Sequence, residues 1–272
     1  MRKLIISICI MFQLSSCTLA YFIIPTKLKN PISGSEFYNL AKDSSWQARE
    51  EMEFKLITEG NTAERSRFFV PIKFKFFDSS QSKYLDVKYF VSKDYLSIGT
   101  DKDFMRVPMT PILAQRIVDH FHCFLPTRKI VNDIYENSFI KIAPYPLTEY
   151  RDSITTFFQH NQLIEKERNG RTGLIAGIKK DIVITDKINS GPKTNKVAIY
   201  GWHKLDGNPI QPLYTGHVNW YVDYSHGVRL VSRTIYIDEK KYDYLDILKS
   251  PSLRKILSDE DKNDFIRYPD HF

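Results

Sequence analysis

The segment GHVNWYVDYSHGVRLV, residues 216–231, concentrates side chain types that perform acid–base and nucleophilic chemistry. His217 and His226 could act as general bases, and Asp223 could orient one imidazole and fix its tautomer. Ser225 is a candidate nucleophile or substrate contact. Together with a histidine that ends the apolar run KVAIYGWH, they form a candidate hydrolytic centre: His203, His217, Asp223, Ser225 and His226.

The same residue types bind zinc. A hydrolytic zinc site uses three histidine or carboxylate ligands and leaves one position for water. His203, His217 and His226 are the ligands that such a site would use here. The helical HExxH signature does not occur in the sequence. Zinc is therefore compatible with the residue types, while the identity of any cofactor stays open.

Ser225 and His226 are neighbours in the sequence, but this alone does not bring their side chains together as a catalytic pair. Neighbours on a strand point to opposite faces, so Asp223 would share a face with Ser225, and Tyr224 with His226. We expect a strand, a turn at Ser225–Gly227 and a second strand. A serine–histidine pair then requires the turn to break the alternation. The alternative to a reaction centre is a polar turn between two strands.

Four further residues are candidates for substrate binding. Arg229 and Lys180 could hold an anionic group, with the arginine binding in bidentate fashion. Trp202 could stack on a sugar ring, although a buried core tryptophan is commoner. Tyr224 is the fourth candidate contact. For Lys180 the alternative is a solvated strand end.

Periodic patterns predict the elements that position these residues. Residues 36–59 predict a helix with a break near 43–45. Residues 67–78 and 83–92 alternate and predict a β-hairpin. TPILAQRIVDHFH and PTRKIVNDIYEN each begin with a threonine cap and continue as an apolar helical stripe. Residues 147–168 predict a third helix in this middle part.

The last third returns to strands, over 174–186, 196–203 and 220–238, which are rich in β-branched and aromatic residues. Strands before and after a helical middle indicate an α+β fold rather than βαβ repeats. We expect an N-terminal helix and β-hairpin, a helical middle, and a C-terminal antiparallel β-rich part. Residues 35–272 are predicted to form a single domain.

The N-terminus, MRKLIISICIMFQLSSCTLA, has the order of an export signal. Arg2 and Lys3 precede the apolar run Leu4–Phe12, which is too short to span a bilayer. The sequence LSSC, which ends at Cys17, resembles the lipobox of bacterial lipoproteins. In that class the cysteine is acylated and becomes the first mature residue.

The lipobox resemblance implies a signal peptide over residues 1–16, lipidation of Cys17 and a tether over 17–34. Cleavage after Ala20 and an uncleaved anchor are the alternatives. With lipidation or with an uncleaved anchor, the sequence predicts an exported protein held at a membrane of the bacterial cell envelope.

The chain carries a formal net charge of +7, with 26% charged and 42% hydrophobic residues. This charge favours anionic neighbours such as phospholipid headgroups or anionic glycans. No dense Lys/Arg run and no nucleic-acid-binding motif occur in the sequence, so nucleic acid is not an expected partner.

The sequence SHGVRL resembles the end of the L,D-transpeptidase motif Ser-His-Gly-Cys-Ile/Val-Arg. Those cell-wall enzymes have a mostly β fold, acylate the cysteine and carry an upstream histidine, for which His217 or His203 would be the counterpart. Here Gly227 is followed directly by Val228 and Arg229, so no thioester can form. The resemblance implies a site that binds cell-wall material without transpeptidation.

A longer pattern, RVPMTPILAQRIVDHF…LPTRKIVNDIY with YGWH…GNPIQPL…YVDYSHGVRLV, resembles an uncharacterised family of exported bacterial proteins. It implies export and no activity. We therefore expect a membrane-tethered hydrolase of peptidoglycan or another envelope polymer. The alternatives are a non-catalytic glycan- or peptide-binding lipoprotein and a structural component whose three histidines, His203, His217 and His226, lie far apart.

Overall fold

The computed structural model describes residues 21–22, 24 and 29–271. The predicted signal peptide and the lipidation candidate Cys17 lie outside these residues. Within the predicted tether, strand β1 (Tyr21–Phe22) pairs antiparallel with residues 68–69. Ile24 is 2% exposed and belongs to the hydrophobic core. This part of the predicted tether therefore packs on the folded domain.

The N-terminal helical prediction is confirmed, including its break. Helix α1 (Gly34–Ala41) begins at Ser33 with a capping box, and α2 (Trp46–Thr58) begins at Ser45, whose hydroxyl accepts the N–H of Ala48. A short helix, α3 (Glu64–Arg67), follows. The predicted hairpin is also present as β2 (Phe68–Asp78) and β3 (Lys83–Ser92), and the short strands after it are β4 (Ser97–Gly99) and β5 (Phe104–Arg106).

The middle of the chain is helical where threonine caps occur. Thr110 and Thr127 each accept a backbone N–H in the first helical turn. The elements are α4 (Pro111–His120), β6 (Cys123–Phe124), α5 (Arg128–Asn137), β7 (Ile140–Lys141) and α6 (Ile154–Arg168). The predicted helix over 147–168 begins late because Ser153 supplies its cap. Residues 147–153 form a loop instead.

The last third supplies strands to two sheets. Its elements are β8 (Ile175–Ala176), β9 (Lys180–Ile182), β10 (Lys196–His203), β11 (Pro209–Val218), β12 (His226–Gly227), β13 (Val231–Ser232), β14 (Thr234–Ile237), β15 (Lys240–Asp243) and α7 (Tyr244–Lys249). Single 3₁₀ turns occupy Asp186–Asn189 and Arg254–Ile256. The predicted strand over residues 220–225 is wrong, since no strand occurs there.

The larger sheet joins both ends of the described chain in the order β1-β2-β3-β13-β6, with β14 on β3 and β15 on β14. The second sheet has the order β11-β10-β9-β12, and its β12 runs parallel to β9. The α+β class is confirmed. Among the described helices, none combines the length and the apolar composition that a membrane crossing requires.

Candidate functional site

The second sheet places one lysine at the centre of the candidate site. Lys180 on β9 lies opposite Gly201 of β10 on one side and opposite His226 of β12 on the other. The backbone N–H of Lys180 donates to the carbonyl of Ser225 at 2.7 Å. Residues far apart in sequence therefore meet through this strand pairing.

Asp223 closes the turn that precedes β12. Its Oδ1 accepts from the backbone N–H of Ser225 at 2.9 Å and from the Ser225 hydroxyl at 2.5 Å. Such side-chain-to-backbone bonds replace strand pairing. The predicted alternation is consequently wrong, because the His226 ring lies beside Asp223, with its Nε2 at 3.9 Å from Oδ1. The turn occupies Tyr224–Ser225, and His226–Gly227 is already strand.

The Asp223 carboxylate is fully buried and carries the negative charge of the site. Its Oδ2 accepts from the Arg151 guanidinium at 2.6 Å. Burial opposes ionisation, yet His226 attracts the carboxylate once the imidazole is charged at low pH. This attraction, the positive charge of Lys180 and the hydrogen bonds from Ser225 hold the pKa of Asp223 below its usual range. The carboxylate therefore stays ionised and anchors Arg151 at the mouth of the site.

Two neutral imidazoles lie next to this carboxylate. Burial lowers the pKa of His226 to about 4, although Asp223 opposes the shift. Neither His226 ring nitrogen has a hydrogen-bond partner within the described chain. The His217 ring lies 6.3 Å from the His226 ring, and burial also lowers its pKa. Tyr221 packs against His217 at 4.7 Å between ring centroids.

Trp202 forms the wall that faces Lys180. The Lys180 ammonium lies 5.3 Å from the centre of the indole. Strand β10 is bulged around Gly201, and Trp202 has φ 56°, a conformation that bulky side chains rarely adopt. Within the described residues, the Lys180 ammonium has no hydrogen-bond or ion-pair partner. The bulge therefore directs the indole toward an unpaired cation.

An open cleft of about 340 Å³ lies beside Lys180 and Trp202, and none of the predicted catalytic residues lines it. Arg151 and Lys180 supply its positive charge, and Tyr224 forms part of its wall, with its hydroxyl held by the backbone of Leu147 at 2.5 and 3.0 Å. The complete lining is Pro146, Leu147, Thr148, Arg151, Lys180, Trp202, Ile210, Gln211 and Tyr224.

A second buried lysine, Lys179, contacts the turn that follows Asp223. The Lys179 ammonium lies 3.2 Å from Nδ1 of His160 and donates to the carbonyl of Tyr224. Burial and the nearby charge of Arg106 lower the pKa of Lys179 to about 7. The His160 ring packs edge-on against Tyr224 at 4.8 Å. These contacts fix the turn that carries Asp223.

His203 does not join this group, although it was a predicted catalytic residue. Its Nε2 lies 3.1 Å from the Asn132 side chain oxygen, and its ring stacks on Tyr135 at 4.5 Å. Ser225 joins the group, but its hydroxyl donates to Asp223 rather than pairing with an imidazole. Both side chains are buried, so each stabilises the fold in this conformation.

Arg229 is wrongly predicted as a ligand for a substrate anion. The side chain is fully buried, and its guanidinium donates to the carbonyls of Ser92 at 2.8 Å and Ile175 at 2.7 Å. It also lies 4.1 Å over the Tyr95 ring. Arg229 therefore joins the larger sheet to β8. The arginine that does reach the cleft is Arg151, which, like His160, was not a predicted site residue.

The structure brings together four of the five predicted catalytic residues: His217, Asp223, Ser225 and His226. In the part of the chain that the structure describes, no three His, Cys, Asp or Glu side chains are arranged to hold a metal ion. The arrangement can bind an anion through Lys180 and Arg151, or exchange a proton through His217. No protein-family model, curated protein or solved structure matches this chain.

Proposed function

We propose that the protein is a membrane-tethered component of the bacterial cell envelope that binds an anionic segment of peptidoglycan or another anionic glycan in the cleft beside Lys180. The observation that supports this most strongly is the unpaired Lys180 ammonium, held 5.3 Å from the Trp202 indole. The lipobox-like N-terminus supports the membrane tether.

The chemistry of the cleft fits a charged sugar or a peptide carboxylate. Lys180 offers donors that no described residue uses, and Arg151 adds a second cation at the same mouth. Trp202 and Tyr224 supply aromatic surface, on which sugar rings pack well. The cleft is open, so a polymer can lie across it without threading a chain end.

Binding to purified sacculi tests this proposal. We expect the full-length protein in detergent to co-sediment with sacculi and to lose binding when their carboxylates are amidated. Lys180→Gln removes a charge-assisted hydrogen bond worth about 1.5–3 kcal/mol, which corresponds to roughly 10- to 150-fold weaker binding. Lys83→Gln removes an exposed lysine on the hairpin and serves as the matched control.

Two results would contradict the binding proposal. In the first, the amidated and native sacculi bind the protein equally, so charge has no part in recognition. In the second, Lys180→Gln and Lys83→Gln proteins bind as tightly as the wild type, so the cleft is not the site.

A second candidate function is hydrolysis of the same polymer, with His217 or His226 as general base. It is favoured by two neutral imidazoles that lie beside the ionised Asp223. We expect the wild type to release soluble muropeptides and His217→Ala and His226→Ala proteins to lose this activity, with His271→Ala as an exposed control. Hydrolysis is rejected if the wild type releases none or if both variants remain fully active.

A further inference from the structure

A second pocket, separate from the cleft beside Lys180, lies where α3, the end of β3 and the loop after α6 meet. It has a volume of about 220 Å³. Four cationic residues line it: Arg65, Lys93, Arg168 and Arg171. Phe68, Ile140 and Ile175 supply apolar surface to the same pocket.

Among the described residues, no carboxylate forms an ion pair with two of these cations. The Arg65 guanidinium lies 4.6 Å over the Phe104 ring, and the Lys93 ammonium lies 4.3 Å over the Phe68 ring. Across the described residues, neither side chain has an ion pair or a hydrogen bond. A cation on an aromatic face keeps its other side free for an anion.

The buried carboxylates near the pocket are already engaged by other arginines. Asp94 holds Arg106 through both oxygens, at 2.8 and 2.6 Å. Glu165 holds Arg106 at 2.8 Å and Arg168 at 2.5 Å. The negative charges of Asp94 and Glu165 are therefore balanced by the positive charges of Arg106 and Arg168. The four cations that line the pocket face three lining carboxylates, Glu64, Asp94 and Asp101, so the lining keeps a net charge of +1.

The rim restricts which anions can enter. Glu64 and Asp101 line the same pocket, and Asp101 accepts the backbone N–H of Glu64 at 2.7 Å. Like charges at close range disfavour a polyanion. The apolar wall meanwhile favours a ligand with an unsubstituted hydrocarbon or aromatic part.

We infer that this pocket binds a small amphipathic molecule through a single oxyanion group, a carboxylate or a phosphate monoester, held by Arg65 and Lys93. The hydrocarbon part of the ligand lies against Phe68 and Ile175. This ligand differs from the polymer proposed for the cleft beside Lys180, and the two sites involve different cations.

Isothermal titration of the full-length protein in detergent tests the inference. The probes are phenylacetate for the carboxylate, phenyl phosphate for the phosphate monoester, and benzyl alcohol as the neutral analogue. We expect at least one anionic probe to bind and the neutral analogue not to bind. Arg65→Gln and Lys93→Gln should each weaken binding by about tenfold, because each removes a charge-assisted hydrogen bond.

Two controls make the result decisive. Lys83→Gln should leave probe binding unchanged, because this exposed lysine belongs to neither site, and Arg65→Lys should retain most of the binding because the charge is kept. If Arg65→Gln fails to fold, the Lys93→Gln variant still decides the outcome. The inference is overturned if neither anionic probe binds, or if Lys93→Gln binds the probe as tightly as the wild type does.

Discussion

Asp223→Asn separates the two candidate functions, because they give opposite expectations for it. The substitution keeps the shape of the side chain and removes its charge. Asp223 is fully buried, whereas the side chain of its partner Arg151 is 41% exposed. The variant thus leaves a solvated guanidinium and removes the negative charge nearest to Lys180.

The expected loss of stability follows from this geometry. Removing one partner of a fully buried pair costs about 3–5 kcal/mol. Solvent screens Arg151 and asparagine can still accept one hydrogen bond, so we expect roughly 1–3 kcal/mol here. For a chain of this length, the unfolding midpoint should fall by about 2–4 °C per kcal/mol, or roughly 2–12 °C in total. Asp86→Asn, which breaks the exposed pair with Lys75, should change it little.

The lowered pKa of Asp223 determines how the stability difference between wild type and variant depends on pH. Since the folded pKa of Asp223 is lowered, its ionised form contributes stability above its unfolded pKa, and this contribution is lost as pH falls through the folded pKa. The difference in melting temperature between wild type and variant should therefore be constant from about pH 6 to 8 and shrink below about pH 4.

Binding and turnover should change in opposite directions. If the cleft binds anions, removing the Asp223 charge leaves Lys180 and Arg151 less compensated, so affinity for native sacculi should be retained or increased. A hydrolase would lose activity, because the carboxylate beside His226 is gone. The binding account is refuted if the variant remains folded but loses affinity for sacculi, and the structural reasoning is refuted if its melting temperature equals that of the wild type.

Three other predictions concern the same region and the N-terminus. Gly227→Ala would place a Cβ 2.6 Å from the Tyr95 ring, and we expect the overpacking to cost about 1–3 kcal/mol in thermal unfolding; an unchanged midpoint would contradict the packing. The folded pKa of His226, about 4, lies below its unfolded value, so the ring should show no NMR titration from about pH 8 to 6. Because the unfolded state binds the proton more tightly, the stability of the wild type should rise between about pH 4 and 6.5, and His226→Gln should reduce this rise. Cys17→Ser should move the protein from the membrane fraction to the soluble fraction, and retention at the membrane would exclude lipidation as the anchor.

Local patterns predicted much of the fold. Thr110 and Thr127 begin helices because a threonine hydroxyl satisfies the free N–H groups of the first turn. The alternating residues of 67–78 and 83–92 predicted the hairpin, since one face of each strand is buried. Both features depend on neighbours in sequence.

The remaining differences arise from non-local or side-chain contacts. Residues 220–225 leave the strand conformation because Asp223 bonds to Ser225. Arg151 and His160 reach the site only through tertiary packing, so no pattern near them in sequence marks their role.

The position of a bound anionic fragment tests the central claim most directly. A crystal structure of the protein with a carboxylate-bearing peptidoglycan fragment would give this position. We predict that a carboxylate oxygen lies within hydrogen-bond distance of the Lys180 ammonium, with the adjoining sugar or peptide against Trp202. A fragment bound elsewhere, with the cleft beside Lys180 filled only by solvent, would contradict the account.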